Sequence, residues 1–198
     1  MKRRLLPGAV LIGTLALGSR APCAATPGDP AGFEQVLKLL AERRHGHVAF
    51  TEVQHLSILD RPLQSSGELS YDAPDRLEKR TLAPHPEDLL FERGLLTIER
   101  NHRRRSVALR DFPQAAPFIE SLRATLAGDR AALEHYFEVH FSGDLVAWRI
   151  ELRPQDPALR RTAALILIDG RQERIRTVEI RTSDGDTSTL SIGSDLAP

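Results

Sequence analysis

Two periodicities divide the chain. In GFEQVLKLLAERRHG (residues 32–46) apolar side chains recur at Phe33, Val36, Leu37, Leu39 and Leu40, the spacing of one helical face, and Gly46 supplies a stop. From His47 onward the dominant spacing is two. HVAFTEVQHLSIL (47–59) is rich in β-branched and aromatic residues, Asp60-Arg61-Pro62 has turn chemistry, and LQSSGELSYD (63–72) sets Leu63, Gly67, Leu69 and Tyr71 against Gln64, Ser66, Glu68 and Ser70. After Ala73-Pro74-Asp75 the chain returns as RLEKRTL (76–82), with Leu77, Lys79 and Thr81 on one side and Arg76, Glu78 and Arg80 on the other. EDLLFERG, LLTIERN and RRSVALRD follow as short strands, the last two as a hairpin around Asn101-His102.

The helical spacing reappears twice. FPQAAPFIESLRATLAGD places Phe118, Ile119, Leu122 and Leu126 on one face, and GDRAALEHYF starts at Asp129, a residue suited to capping. Strands then resume in YFEVHFSG, LVAWRIELRP, TAALILIDG, RIRTVEIRT and TSTLSIG, with Asp169-Gly170 and Asp184-Gly185 as tight-turn signals. The pattern predicts an α+β fold of roughly ten or eleven antiparallel strands and about three helices. So wide a sheet twists and curls, giving a half-barrel whose open side the amphipathic helices cover.

A curled sheet has an inner face, and the alternation names its candidates. Leu69, Tyr71, Leu77, Phe91, Leu96, Ile98, Val107, Leu109, Phe118, Leu122, Trp148 and Ile150 form the expected apolar wall. Taken singly, each reads as ordinary core. Collectively they suit a cavity left unfilled by side chains, and a dry cavity favours an acyl chain by about 0.8 kcal/mol per buried methylene. Lys79 shares the inward parity of Leu77, which a dry interior would not tolerate. Two placements follow: near the mouth, meeting an anionic headgroup, or facing solvent on a twisted edge strand that it protects from pairing.

Composition narrows the partners. MKRRLLPGAVLIGTLALGSRAPCAA combines Lys2, Arg3 and Arg4 with an apolar run from Leu5 to Leu17 and a small-residue end at Ala24-Ala25, the layout of a secretory signal peptide over residues 1–25. Residues 26–198 then form a single domain. An uncleaved anchor is the weaker alternative, because the run is short and Pro7-Gly8 interrupts it. Cys23 is the only cysteine and leaves with the leader, so burial rather than disulfides must hold the fold. The leader carries four of the 27 basic residues and none of the 27 acidic ones, which leaves the remainder mildly acidic and a poor match for nucleic acid.

The sequence specifies no reaction. Seven histidines include His45-Gly46-His47, but no neighbouring cysteine or carboxylate cluster completes a metal site. There is no Gly-x-Ser-x-Gly elbow and no glycine-rich phosphate loop; Ser142-Gly143-Asp144 and Asp184-Gly185-Asp186 read as turns. No catalytic residue, metal or cofactor is expected.

VAFTEVQ, with Phe50-Thr51-Glu52, and SGELSYDAPDRLEKRTLAPHPEDLL, with Gly67, Leu69, Pro74 and Leu77, resemble the LolA family of periplasmic lipoprotein carriers. The order of helix, meander, two helices and further strands is similar over most of residues 26–198. The resemblance implies a periplasmic, non-enzymatic carrier of acyl lipid or lipoprotein cargo, chaperoning it from an inner-membrane exporter to an outer-membrane acceptor. In the best-known carriers an arginine implicated in cargo release precedes the proline; here Ala73 stands there. SSGEL, PDRLEKRTLAP and SLRATLAGD are instead similar to a LolA-related subgroup associated with export of outer-membrane lipids, aryl-polyene-type lipids among them. Relatives of the same fold that regulate a membrane partner imply an alternative, an envelope sensor or interaction module.

Overall fold

The computed structural model describes residues 30–113 and 115–196; the expected leader and Cys23 lie outside them. All eleven strands form one antiparallel sheet. Helix α1 (Pro30–Glu42) leads into β1 (His45–His55), β2 (Leu63–Asp72), β3 (Arg76–Ala83), β4 (Glu87–Glu92), β5 (Leu95–Arg100) and β6 (Arg103–Ala108). After α2 (Ala116–Leu126) and α3 (Arg130–Tyr136) come β7 (Phe137–Gly143), β8 (Trp148–Pro154), the short α4 (Pro157–Arg160), β9 (Leu165–Arg171), β10 (Arg174–Arg181) and β11 (Thr187–Asp195). The spatial order is β6-β5-β4-β3-β2-β1-β11-β10-β9-β8-β7. Each neighbour is therefore also a sequence neighbour except at one seam, β1 against β11, and the sheet stays open with β6 and β7 as its edges.

The expected signals act locally. Asn101 and His102 both take positive φ, 53° and 60°, as a two-residue turn requires. The Asp129 side chain accepts a hydrogen bond from the Ala132 amide at 2.9 Å and so starts α3. Arg76, Glu78 and Arg80 do line the outer face, where Arg76 pairs with Asp72 and Glu78, and Arg80 with Glu78 and Asp88. Two readings change. Helix α4, capped by Asp156 onto the Ala158 amide, carries no buried residue and so had no apolar pattern to announce it. Gly170 is a strand residue rather than a turn, because the Trp148 ring lies where its side chain would be: a Cβ there would come within 2.1 Å of Cζ2.

The two halves of the sheet are filled differently. Toward β7, Phe33, Val36, Leu37 and Leu40 of α1 pack with Leu152, Ile166, Ile168, Val178 and Leu190 in one solid cluster. Each large aliphatic fully buried there contributes about 1.5–3 kcal/mol. Toward β6 a smaller cluster, Phe91, Leu96, Leu109 and Ile119, lies under α2.

Helix α2 itself packs through small side chains: Ser121, Ala124 and Thr125 are fully buried. Ser121 Oγ donates to the Phe118 carbonyl at 2.8 Å, whereas Thr125 Oγ1 is buried with no hydrogen-bond partner. An unpaired buried hydroxyl costs about 1–3 kcal/mol. Thr125→Val, which removes it at similar volume, is expected to raise stability by about 1 kcal/mol, read as a higher denaturant midpoint at unchanged m-value.

Candidate functional site

Strand parity and register assemble the site in rows across the inner face. Gly46, Tyr71, Leu77, Phe91, Leu96 and Val107 are successive register partners in the first row; Val48, Leu69, Lys79, Leu89, Ile98 and Arg105 form the second. Helix α2 lies over the first row. Between them is a cavity of about 140 Å³, lined by Val48, Leu69, Tyr71, Leu77, Leu89, Phe91 and Leu96 from the sheet, and by Ala115, Phe118, Ile119, Leu122 and Leu126 from α2 and the residue before it. Ile175 and Ile192 close it from the far side of the seam. A cavity of about that volume holds a benzene-sized guest, about six carbons. A longer acyl chain needs α2 to move outward or a path beyond the wall.

Of the residues that parity singled out, the structure brings Leu69, Tyr71, Leu77, Lys79, Phe91, Leu96, Phe118 and Leu122 to this cavity. Ile98, Val107 and Leu109 belong to the cluster beneath α2 but stand back from the wall. Trp148 and Ile150, 3% and 0% exposed, lie in the solid cluster, where Trp148 donates Nε1–H to the Gln172 carbonyl at 2.9 Å. Val48 and Leu89 were readable in principle, since they share the parity of Phe50 and Phe91. Ile175 and Ile192 were not, because the β1–β11 pairing that brings them in has no local signature.

The mouth is polar. Asp195 bridges two arginines, Arg43 at 3.0 Å and Arg174 at 2.9 Å, tying the end of β11 to the residues before β1 and to β10. Partial burial raises the Asp195 pKa, but the hydrogen bond and charge of Arg43, followed by Arg174, outweigh it and hold the carboxyl below its usual range. Tyr71 is pushed up by burial and stays neutral.

Lys79 lies at the cavity but is held by a counter-ion. Its Nζ donates to Glu52 Oε2 at 2.6 Å and sits 5.2 Å from the centre of the Phe50 ring; the Glu52 and Lys79 side chains are 9% and 19% exposed. Glu52 also accepts from Gln54, Ser65 and Ser188 at 3.0, 3.2 and 2.7 Å. Burial raises its pKa, and the charge and hydrogen bond of Lys79, with the hydrogen bonds of Gln54 and Ser188, more than reverse it, so the net shift is downward. Glu52 shares the inward parity of Phe50, so two inward charges of opposite sign were visible in the sequence as potential partners.

Among the described residues no three His, Cys, Asp or Glu side chains converge as a metal site, and no helix is long and apolar enough to cross a membrane. An apolar hollow under a helix, with a charged mouth, is the geometry of a binding protein. The family follows from comparison: residues 24–196 match the model described as outer membrane lipoprotein carrier protein LolA-like, and the chain belongs to that family. Similar solved structures include LolA superfamily protein NE2245 from Nitrosomonas europaea (11% identity, 84% of this chain and 94% of that one, TM-score 0.43). A putative outer membrane lipoprotein-sorting protein domain from Vibrio parahaemolyticus shares 11% identity over 84% and 92% of the two chains, TM-score 0.46. The MucA/MucB complex of Pseudomonas aeruginosa is similar at 13% identity over 83% of this chain and 58% of that one, TM-score 0.40. No curated protein matches the chain.

Proposed function

We propose that this protein is a periplasmic, non-enzymatic carrier that encloses an acyl chain of a lipid or lipidated molecule and moves it from inner to outer membrane. The observation that carries the reading is the apolar cavity between α2 and the inner face of β1–β5. Burying about six methylenes there favours binding by about 5 kcal/mol before the costs of ordering the chain. The protein has no need of its own energy source. Cargo passes to whichever site binds it better, so transfer runs downhill in affinity from exporter to carrier to acceptor. The solid cluster, which α1 fills and which Leu122 and Ala124 of α2 join, is the base from which the β3–β6 wall parts to admit cargo.

Native mass spectrometry of protein taken from its own periplasm is expected to reveal a co-purified lipid, and delipidated protein is expected to take up a labelled acyl lipid. A delipidated, folded sample that takes up none overturns the reading.

A further inference from the structure

The second row of the inner face continues beyond the cavity. Leu89 lines the hollow, its register partner Ile98 is half-buried next to it, and Ile98 pairs in turn with Arg105, which is exposed. Paired side chains on neighbouring strands stand about 5 Å apart, so Arg105 is about 10 Å from the cavity wall. Arg103 lies two residues earlier and shares its face. Among the described residues neither Arg103 nor Arg105 has an acidic partner, whereas Lys79 in the same row is neutralised by Glu52 and Arg100 stands 3.8 Å from Glu87. At the other mouth the charges balance, with Arg43 and Arg174 sharing Asp195 and Arg174 also 3.5 Å from Glu173.

We propose that Arg103 and Arg105 seat the acidic headgroup, phosphate or carboxylate, of a lipid whose acyl chain leaves the cavity over Leu89 and Ile98. This rests on the carrier reading above. The cavity accepts about six carbons, so a longer chain must continue over apolar surface, and Leu89–Ile98 supplies it in one direction. At its end stand two guanidiniums with no counter-charge, suited to an anion by charge and by paired donor geometry. Protection of the β6 edge from pairing explains an exposed charge on this strand. Arg104, between them, is likewise without an acidic partner among the described residues and serves that protection on the other face; what sets Arg103 and Arg105 apart is that their face leads to the cavity.

The experiment compares lysophosphatidylglycerol with a monoacylglycerol of the same acyl length, which carries no anionic group, below their aggregation concentrations, by displacement of a neutral apolar dye from the full chain. The anionic lipid is expected to bind roughly five- to tenfold more tightly, the sum of two exposed ion pairs, and the margin should shrink in high salt. Arg103→Gln with Arg105→Gln is expected to erase the margin while leaving monoacylglycerol binding and thermal stability unchanged. Arg104→Gln, on the opposite face of the same strand, is expected to keep it. Equal binding of both lipids by the unaltered protein, or equal loss in all variants, overturns the headgroup seat while leaving the carrier reading intact. Binding of neither lipid overturns both. Displacement of the lipid by glycerol 3-phosphate at similar concentration would assign the arginines to a free phosphate ester and overturn the lipid assignment.

Discussion

Gly67→Ala is expected to lower stability by about 3 kcal/mol. A methyl group at this position would lie 1.9 Å from the Arg80 carbonyl oxygen, 2.9 Å from its carbon and 3.0 Å from the Phe50 ring. The obstacle is backbone, which cannot swing aside as the end of a side chain does. The β2–β3 register shifts between Ser66 and Gly67, so the glycine sits where β3 folds in over β2 and the sheet begins to curl. Relieving the clash means separating the two strands that hold Leu69 and Leu77 at the cavity. Gly46→Ala, with nothing within 4 Å of the new carbon, is the matched control and should be nearly neutral. Urea denaturation of both variants checks the expectation. A Gly67→Ala protein within about 1 kcal/mol of the original would mean the strands are not held this closely.

Glu52→Ala is expected to cost a similar amount, about 3 kcal/mol, because it leaves the Lys79 ammonium largely enclosed without its counter-ion and strips the Ser65 and Ser188 hydroxyls of their acceptor. Glu52→Leu combined with Lys79→Met should cost much less than Glu52→Leu alone, since the penalty lies in the stranded charge. The same carboxylate sets an acid limit. Its folded pKa lies below the ordinary 4.5, so its contribution is complete above that pH and is lost as the pH falls through the lower folded value. Stability measured from pH 6 downward should therefore fall more steeply below about 4.5 in the unaltered protein than in Glu52→Gln. Parallel curves would show that the pairing does not govern the carboxyl.

Strands and helices were legible wherever one face was buried. The alternation of Leu69 and Tyr71 against Ser70, and of Phe118, Ile119 and Leu122 along α2, reflects burial by a single neighbouring layer, which local spacing records directly. The apolar lining of the cavity was legible for the same reason. Its extent was not. Trp148 and Ile150 have the parity of wall residues, but α1 fills the space above them, and no pattern within β8 tells whether a helix or a cavity lies opposite. Trp148 further depends on Gly170, 22 residues away, for the room its ring takes. Lys79 was placed by parity alone, whereas its position is decided by Glu52, 27 residues earlier and two strands across. Cross-strand partnership is the missing information in each case.

The seam between β1 and β11 has a consequence for how the chain finds its native pairing. Everything else in the sheet zips through neighbouring hairpins, so two meanders can form separately and meet last, across the greatest separation along the chain. At that junction Ser188 of β11 completes the shell around Glu52 of β1. A two-residue slip would keep the apolar faces aligned yet part Ser188 from the carboxylate, so the ionic cluster registers an error of alignment to which hydrophobicity alone is blind.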